Sequence, residues 1–247
     1  MNSIDLTEAT ALIVAVFVAS LVQINVGFGF ALMSVPLMSL GLRTQDAVVI
    51  STFLGLLASG LQAWQGRDVA RWDLVRRLTA ASIIGIPVGL IVFKQLDPNL
   101  LKALLGVGVL IATYLLVRGV DLIHRGPGLE WSVGLLSGAL ASSLSTNGPP
   151  LVFALQGRKL PIDVFRSTIN LVFVVSGAVT LSAFIVTDEV RSEAVTGMFL
   201  AVPAMALGIG LGLIIRPHIN ESRARTAVLF LLAIAGLVSL LSAITSL

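Results

Sequence analysis

Asn25-Val26-Gly27-Phe28-Gly29-Phe30 interrupts an apolar run that extends from about residue 9 to 42. About 120 residues later, Ser145-Thr146-Asn147-Gly148-Pro149-Pro150 interrupts a second run, from 131 to 157. A helix in lipid cannot leave backbone N–H and C=O groups unpaired, so broken helices persist only where protein or a water-filled cavity supplies partners. Two breaks at corresponding positions of two halves are the sequence mark of a transport site.

Working outward, the whole chain fits a membrane setting. It is 56% hydrophobic and 12% charged, with a mean hydropathy of +1.00, whereas soluble domains carry roughly 25% charged residues. Apolar segments fall at about 9–42, 46–64, 78–93, 100–117, 131–157, 164–186, 194–215 and 226–246. The N-terminal residues lack the basic stretch of a secretory signal, so residues 9–24 are read as part of the membrane domain. Cysteine is absent, which excludes disulfides, thiolate metal sites and cysteine nucleophiles.

The halves repeat. Gly85-Ile86-Pro87-Val88-Gly89-Leu90-Ile91 matches Gly208-Ile209-Gly210-Leu211-Gly212-Leu213-Ile214, and Ser51-Thr52 matches Ser167-Thr168. We therefore expect one membrane domain of two repeats, 8–119 and 130–246. Residues 9–42 as a single helix would run roughly 50 Å, against a hydrocarbon core of about 30 Å. Folding back at the break gives a re-entrant hairpin of two half-helices that meet near the bilayer midplane.

Charge supports the folded-back topology. With the first and fifth segments re-entrant, one side collects Arg67, Arg71, Arg76, Arg77, Arg118, Arg125, Arg158, Lys159, Arg166, Arg216, Arg223 and Arg225. The other side holds only Arg43, Lys94, Lys102 and Arg191. Basic residues mark the cytoplasmic side, and Trp64, Trp72 and Trp131 fall there as an aromatic belt would. Each half then crosses three times, an odd number that inverts the second half relative to the first. The expected fold is all-α: two inverted repeats, each a re-entrant or broken hairpin plus three transmembrane helices, with both termini outside the cytoplasm.

The breaks carry the chemistry. The second helix of each hairpin starts near Phe30 and near Pro149, and a helix N-terminus offers unpaired N–H groups and about half a positive charge. Such ends bind anions without a basic side chain. Gly27, Phe28, Gly29 and Gly148 form the tips, where glycine lets a ligand approach the backbone. Thr146 or Asn147 is placed to cap, Pro149 suits a first helical turn, and Asn25 adds a polar group. Ser51, Thr52, Ser167, Thr168 and Asn170 lie near the starts of the following segments. Their hydroxyls and amide are placed to complete an oxyanion's coordination, the alternative role being bonds back to their own helix carbonyls. Arg166 either draws anions to the cytoplasmic mouth, pairs with Asp163, or snorkels. Gln23 and Gln62 read as polar sites or interhelical hydrogen bonds.

Other classes lack their residues. No Asp, Glu, His or Lys lies deep in a segment, against a buried-carboxylate proton relay. His124 and His218 lack ligand spacing, so no metal is expected. Neither a catalytic set nor a GxxxxGK[ST] loop is present, so we expect neither an enzyme nor a cofactor. The 67–77 loop mixes its arginines with Asp68 and Asp73, which fits topology rather than nucleic acid.

Gly27-Phe28-Gly29-Phe30-Ala31-Leu32-Met33-Ser34-Val35-Pro36-Leu37 resembles the first-repeat signature of the TauE/SafE family, the sulfite exporter type of anion permease. Ser145-Thr146-Asn147-Gly148-Pro149-Pro150 is similar to its second-repeat glycine-glycine-proline-proline element. Phe165-Arg166-Ser167-Thr168-Ile169-Asn170 resembles the arginine-containing start of the next helix. The resemblance implies a plasma-membrane (inner-membrane), multi-pass carrier of small anions, sulfite or organosulfonates, acting as monomer or homodimer in the lipid bilayer. An anion-selective channel and a carrier of non-sulfur carboxylates are the alternatives. The chain departs from the family pattern at Phe30 and Ala31, and at Asn147, which places a carboxamide where the family has glycine.

Overall fold

The structure is a computed structural model that describes residues 5–118, 126–215 and, toward the C-terminus, 230, 233, 234, 236–238, 240, 241 and 243. His124, His218, Arg125, Arg216, Arg223 and Arg225 lie outside the described residues. Among the described residues the order is α1 (Leu6–Val26), α2 (Phe30–Met38), α3 (Thr44–Gly66), α4 (Trp72–Gln95), α5 (Pro98–Arg118), α6 (Pro127–Leu144), α7 (Gly148–Gln156), α8 (Ile162–Val186) and α9 (Ser192–Ile215). The fold is all-helical. Five of these helices are long and apolar enough to cross a membrane: Thr7–Val26, α3, α4, α8 and α9.

Both breaks fall where the sequence places them. The last bond of α1 runs from the Gly27 N–H to the Gln23 carbonyl at 2.7 Å. Gly27 and Gly29 then take φ of 92° and 102°, left-handed values that suit glycine and end the helix. After α6 the stop is Ser145, at φ 56°. Both chains fold back. Gly41, beyond α2, lies against Glu8, 3.4 Å from its Cα to an ideal Cβ. Arg158, beyond α7, ion-pairs with Glu130 in the first turn of α6.

The arms are unequal, which corrects the expectation of two half-helices. α1 has 21 residues and α6 has 18, whereas α2 and α7 have 9 each. Nothing in residues 9–26 stops a helix, so α1 continues to the glycines and only the returning arm is short.

Ion pairs gather the loops at two ends. At one end Arg191 meets Asp46 (3.4 Å) and Lys94 meets Glu189 (3.3 Å). At the other, Glu130 is 2% exposed between Arg158 and Arg77, the latter at 2.8 Å. Trp64, Trp72 and Trp131 are exposed at this second end. Removing Glu130 would strand two guanidiniums beside each other. Glu130→Ala is expected to lower stability by about 1–3 kcal/mol, less than a fully buried pair because both arginines reach solvent. Thermal unfolding in detergent measures it, with Asp68→Ala, at an exposed pair, as the silent control.

The two copies of the repeated glycine motif do the same job on opposite partners. Gly85 and Gly89 of α4 pack on the backbone of Leu135 and Ala139 of α6. Gly208 of α9 packs on the backbone of Phe17 in α1, and Gly212 on the Ile24 side chain. Each half thus clasps the hairpin of the other, through the small-residue contact that membrane helices use in place of a hydrophobic drive. The Ser142 hydroxyl adds a 2.7 Å bond to the Ile86 carbonyl. α3 and α8 pack against one another between the two clasps. Gly236 and Leu240 of the C-terminal segment lie on Gly106 and Leu110 of α5, so Gly106 packs within the protomer.

Candidate functional site

α2 and α7 begin beside one cavity of about 60 Å³, midway along α3 and α8. That is space for roughly four waters. Of the residues expected at the site, Gly29, Ser51, Thr52, Thr146, Asn147 and Gly148 line it. The breaks face each other: an ideal Cβ on Gly148 would lie 4.0 Å from the Phe28 ring and 3.6 Å from Phe173. Phe28 in turn packs edge-on to Phe165, ring centroids 6.3 Å apart.

The two helix starts are not equivalent. In α2 the Phe30 N–H is taken by Gln23 Oε1 at 3.1 Å. The N–H groups of Ala31 and Leu32 belong to the first turn, which has no intrahelical acceptors, and both residues line the cavity. In α7 the first turn is Gly148-Pro149-Pro150, and proline has no N–H to offer. Side chains compensate: Asn147 Nδ2 donates to Ser176 Oγ at 3.2 Å, and the Asn147 carbonyl accepts from Ser137 Oγ at 2.9 Å. Asn147 does not cap α7 with its side chain.

Each break is held by a residue of the opposite half. Thr52 Oγ1 of α3 gives its proton to the Val48 carbonyl at 2.8 Å and accepts from Ser145 Oγ at 3.1 Å, and Asn170 Nδ2 of α8 donates to the Gly27 carbonyl at 3.0 Å. Both members of these bonds are related by one offset, 170 − 52 = 145 − 27 = 118. The residue that repeats the part of Thr52 is therefore Asn170, not Thr168 as the Ser-Thr match implies. Thr168 Oγ1 instead accepts the Arg71 N–H at 3.0 Å, and Ser167 bonds the Asp163 carbonyl at 2.7 Å, beside Gly66.

Arg166 sits outside the cavity lining. Its guanidinium donates to the Asn25 carbonyl at the C-terminal end of α1, where the helix dipole is negative. Its stem fills the space beside Gly27, so a Cβ there would come within 2.6 Å of Arg166 Cγ. Asn25 Nδ2 bonds the Leu21 carbonyl at 2.7 Å, on its own helix. Asn25, Gly27, Phe28, Pro149, Arg166 and Asn170 thus surround the breaks without lining the cavity, and Thr168 lies farther off.

Four polar residues of the lining are absent from the expected set: Gln23, Ser59, Ser145 and Thr180. Gln23 is 2% exposed and links Phe30, Ser59 and Asn170. Ser59 and Thr180 complete the wall, and the buried Thr180 hydroxyl has no hydrogen-bond partner. Helical spacing carries a signal for them: Thr52, Gly55 and Ser59 share one face of α3, and Phe173, Gly177 and Thr180 share one face of α8.

Comparison with known proteins identifies the family. The family model described as sulfite exporter TauE/SafE matches residues 12–239. A protein of Comamonas testosteroni named probable inner membrane transporter protein TsaS is 26% identical over 170 residues, covering 68% of this chain and 71% of that protein. No solved structure matches the chain. With nearly its whole length, residues 12–239, inside the family model, the chain belongs to the TauE/SafE sulfite exporter family of multi-pass membrane transporters.

Proposed function

We propose that the chain is a secondary carrier of small sulfur-containing anions, sulfite or organosulfonates, that works by alternating access at the cavity between the two breaks. The observation that carries this reading is the convergence of two helix N-termini from opposite halves on one buried polar pocket. Substrate oxygens would take the N–H groups of Ala31 and Leu32, with the hydroxyls of Ser51 and Thr180 completing the coordination. Anions at helix starts gain from both the donors and the dipole.

The packing supports inverted repeats. The hairpins enter from opposite ends, the glycine clasps are exchanged between halves, and α3 packs against α8 where a pseudo-twofold axis would pass. A hairpin with its clasping helix is a natural rigid body: α1, α2 and α9 on one side, α6, α7 and α4 on the other. Rocking these bodies about α3 and α8 would open the cavity to each face in turn. The basic end faces the cytoplasm of a plasma or inner membrane in this reading, with the N-terminus on the far side.

Counterflow in proteoliposomes tests the proposal. Vesicles loaded with unlabelled methanesulfonate or sulfite are expected to accumulate a labelled trace transiently above equilibrium. Rapid equilibration without overshoot would make the protein a channel, and absence of flux for every sulfur anion would refute the cargo.

A further inference from the structure

We propose that the cavity selects an anion of single charge, and that Gln23 holds its place between turnovers; this rests on the carrier reading above. Charge bookkeeping comes first. Among the described residues that line the cavity none is charged. The Arg166 guanidinium, whose stem lies beside Gly27, is committed to the negative end of α1 at the Asn25 carbonyl. The positive field therefore comes from the starts of α2 and α7, at most about half a unit each and less at α7, whose first turn lacks two N–H groups. Together they balance at most about one negative charge and leave a second one buried without a counter-ion, which is strongly unfavourable in a desolvated site.

Gln23 supplies the second part. Its Oε1 sits on the Phe30 N–H at 3.1 Å, the place an oxyanion oxygen would occupy, and its Nε2 is divided between Ser59 Oγ and Asn170 Oδ1 at 3.3 Å each. All of these are neutral bonds, and the two from Nε2 are long. An ionised oxygen makes a shorter and roughly twofold stronger bond to the same N–H, so the substrate displaces the carboxamide. Gln23 can then rotate and present its NH₂ to the bound anion, because a carboxamide carries both donor and acceptor. The unpartnered, fully buried Thr180 hydroxyl is a further donor waiting in the same wall.

The experiment is competition against labelled methanesulfonate in counterflow. Ethanesulfonate, a monoanion, is expected to compete at least about tenfold better than the dianions sulfate and sulfoacetate. Gln23→Glu puts a tethered carboxylate on the α2 N–H groups and is expected to raise the KM for methanesulfonate at least about tenfold, whereas Gln23→Met, of similar shape, changes it less. The tenfold scale corresponds to losing one charge-assisted hydrogen bond. Equal competition by sulfate and ethanesulfonate, or an unchanged KM in Gln23→Glu, would overturn the inference while leaving the carrier intact. No flux for any of these anions would instead overturn the carrier reading and this inference with it.

Discussion

Gly148→Leu is expected to abolish transport while the protein still folds. Gly148 opens α7 with no left-handed φ, and the nearest atoms a Cβ would meet are at ordinary contact distance, 3.6 Å and 4.0 Å. The backbone therefore accepts a side chain. The remaining carbons of leucine have only the cavity of about 60 Å³ to enter, so they take the volume the anion needs. Flux should fall about a hundredfold or more, since forcing a ligand into an overfilled site costs roughly 1–3 kcal/mol or more. Gly148→Ala should keep much of the activity. Initial rates in proteoliposomes, alongside elution profile and thermal midpoint in detergent, separate the two effects. Wild-type flux in a well-folded Gly148→Leu protein would remove the site from this break.

The second large effect is on folding. Gly138 of α6 faces α4 so closely that a Cβ would overlap the Ser82 carbonyl, and at Gly134 it would lie 2.5 Å from Ala81 Cβ. Two carbonyl-lined backbones leave no flexible end to move aside, so Gly138→Val must separate α4 from α6. That contact is what attaches the second hairpin to the first half, and its loss should cost about 3 kcal/mol or more. Little monodisperse protein is expected on extraction. Gly108→Val and Gly210→Val are the controls: among the described residues neither glycine has a neighbour within 4 Å of an added Cβ, and both variants should behave as wild type. A stable, monodisperse Gly138→Val protein would mean that the two halves are held together by something other than this seam.

These positions show how much the sequence disclosed. Residues 27–29 and 145–147 were legible as breaks because glycine, serine and asparagine in an apolar run have few other uses in lipid. The 85–91 and 208–214 match read as a repeat, but the contacts of these glycines were not legible: nothing local in a glycine motif says which helix it packs on. The long arms were misjudged because hydropathy locates a break without saying how far the helix before it extends.

At the site, type and spacing pointed to Gly29, Ser51, Thr52, Thr146, Asn147 and Gly148, which the fold brings to one cavity wall. Register failed at Thr168. A match by identity pairs it with Thr52, while the bond geometry pairs Thr52 with Asn170, two residues on. Two residues along an α-helix turn a side chain through about 200° and so to the opposite face. Gln23 was visible as a polar residue in an apolar helix. That it meets α2 start-on depends on the hairpin closing between residues 23 and 30, a tertiary fact. Arg166 was read as a mouth or snorkelling charge, yet it ends up anchoring the end of α1.

The most direct test uses the absence of native cysteine. Thr180→Cys puts a single thiol in the cavity wall at a buried lining hydroxyl that makes no hydrogen bond among the described residues. The measurement is its modification rate by a membrane-impermeant, negatively charged methanethiosulfonate in right-side-out and inside-out vesicles, with and without saturating methanesulfonate. The account predicts modification from both faces, slowed in each case by methanesulfonate. Modification from one face only, or at a rate that methanesulfonate leaves unchanged while flux persists, would contradict it.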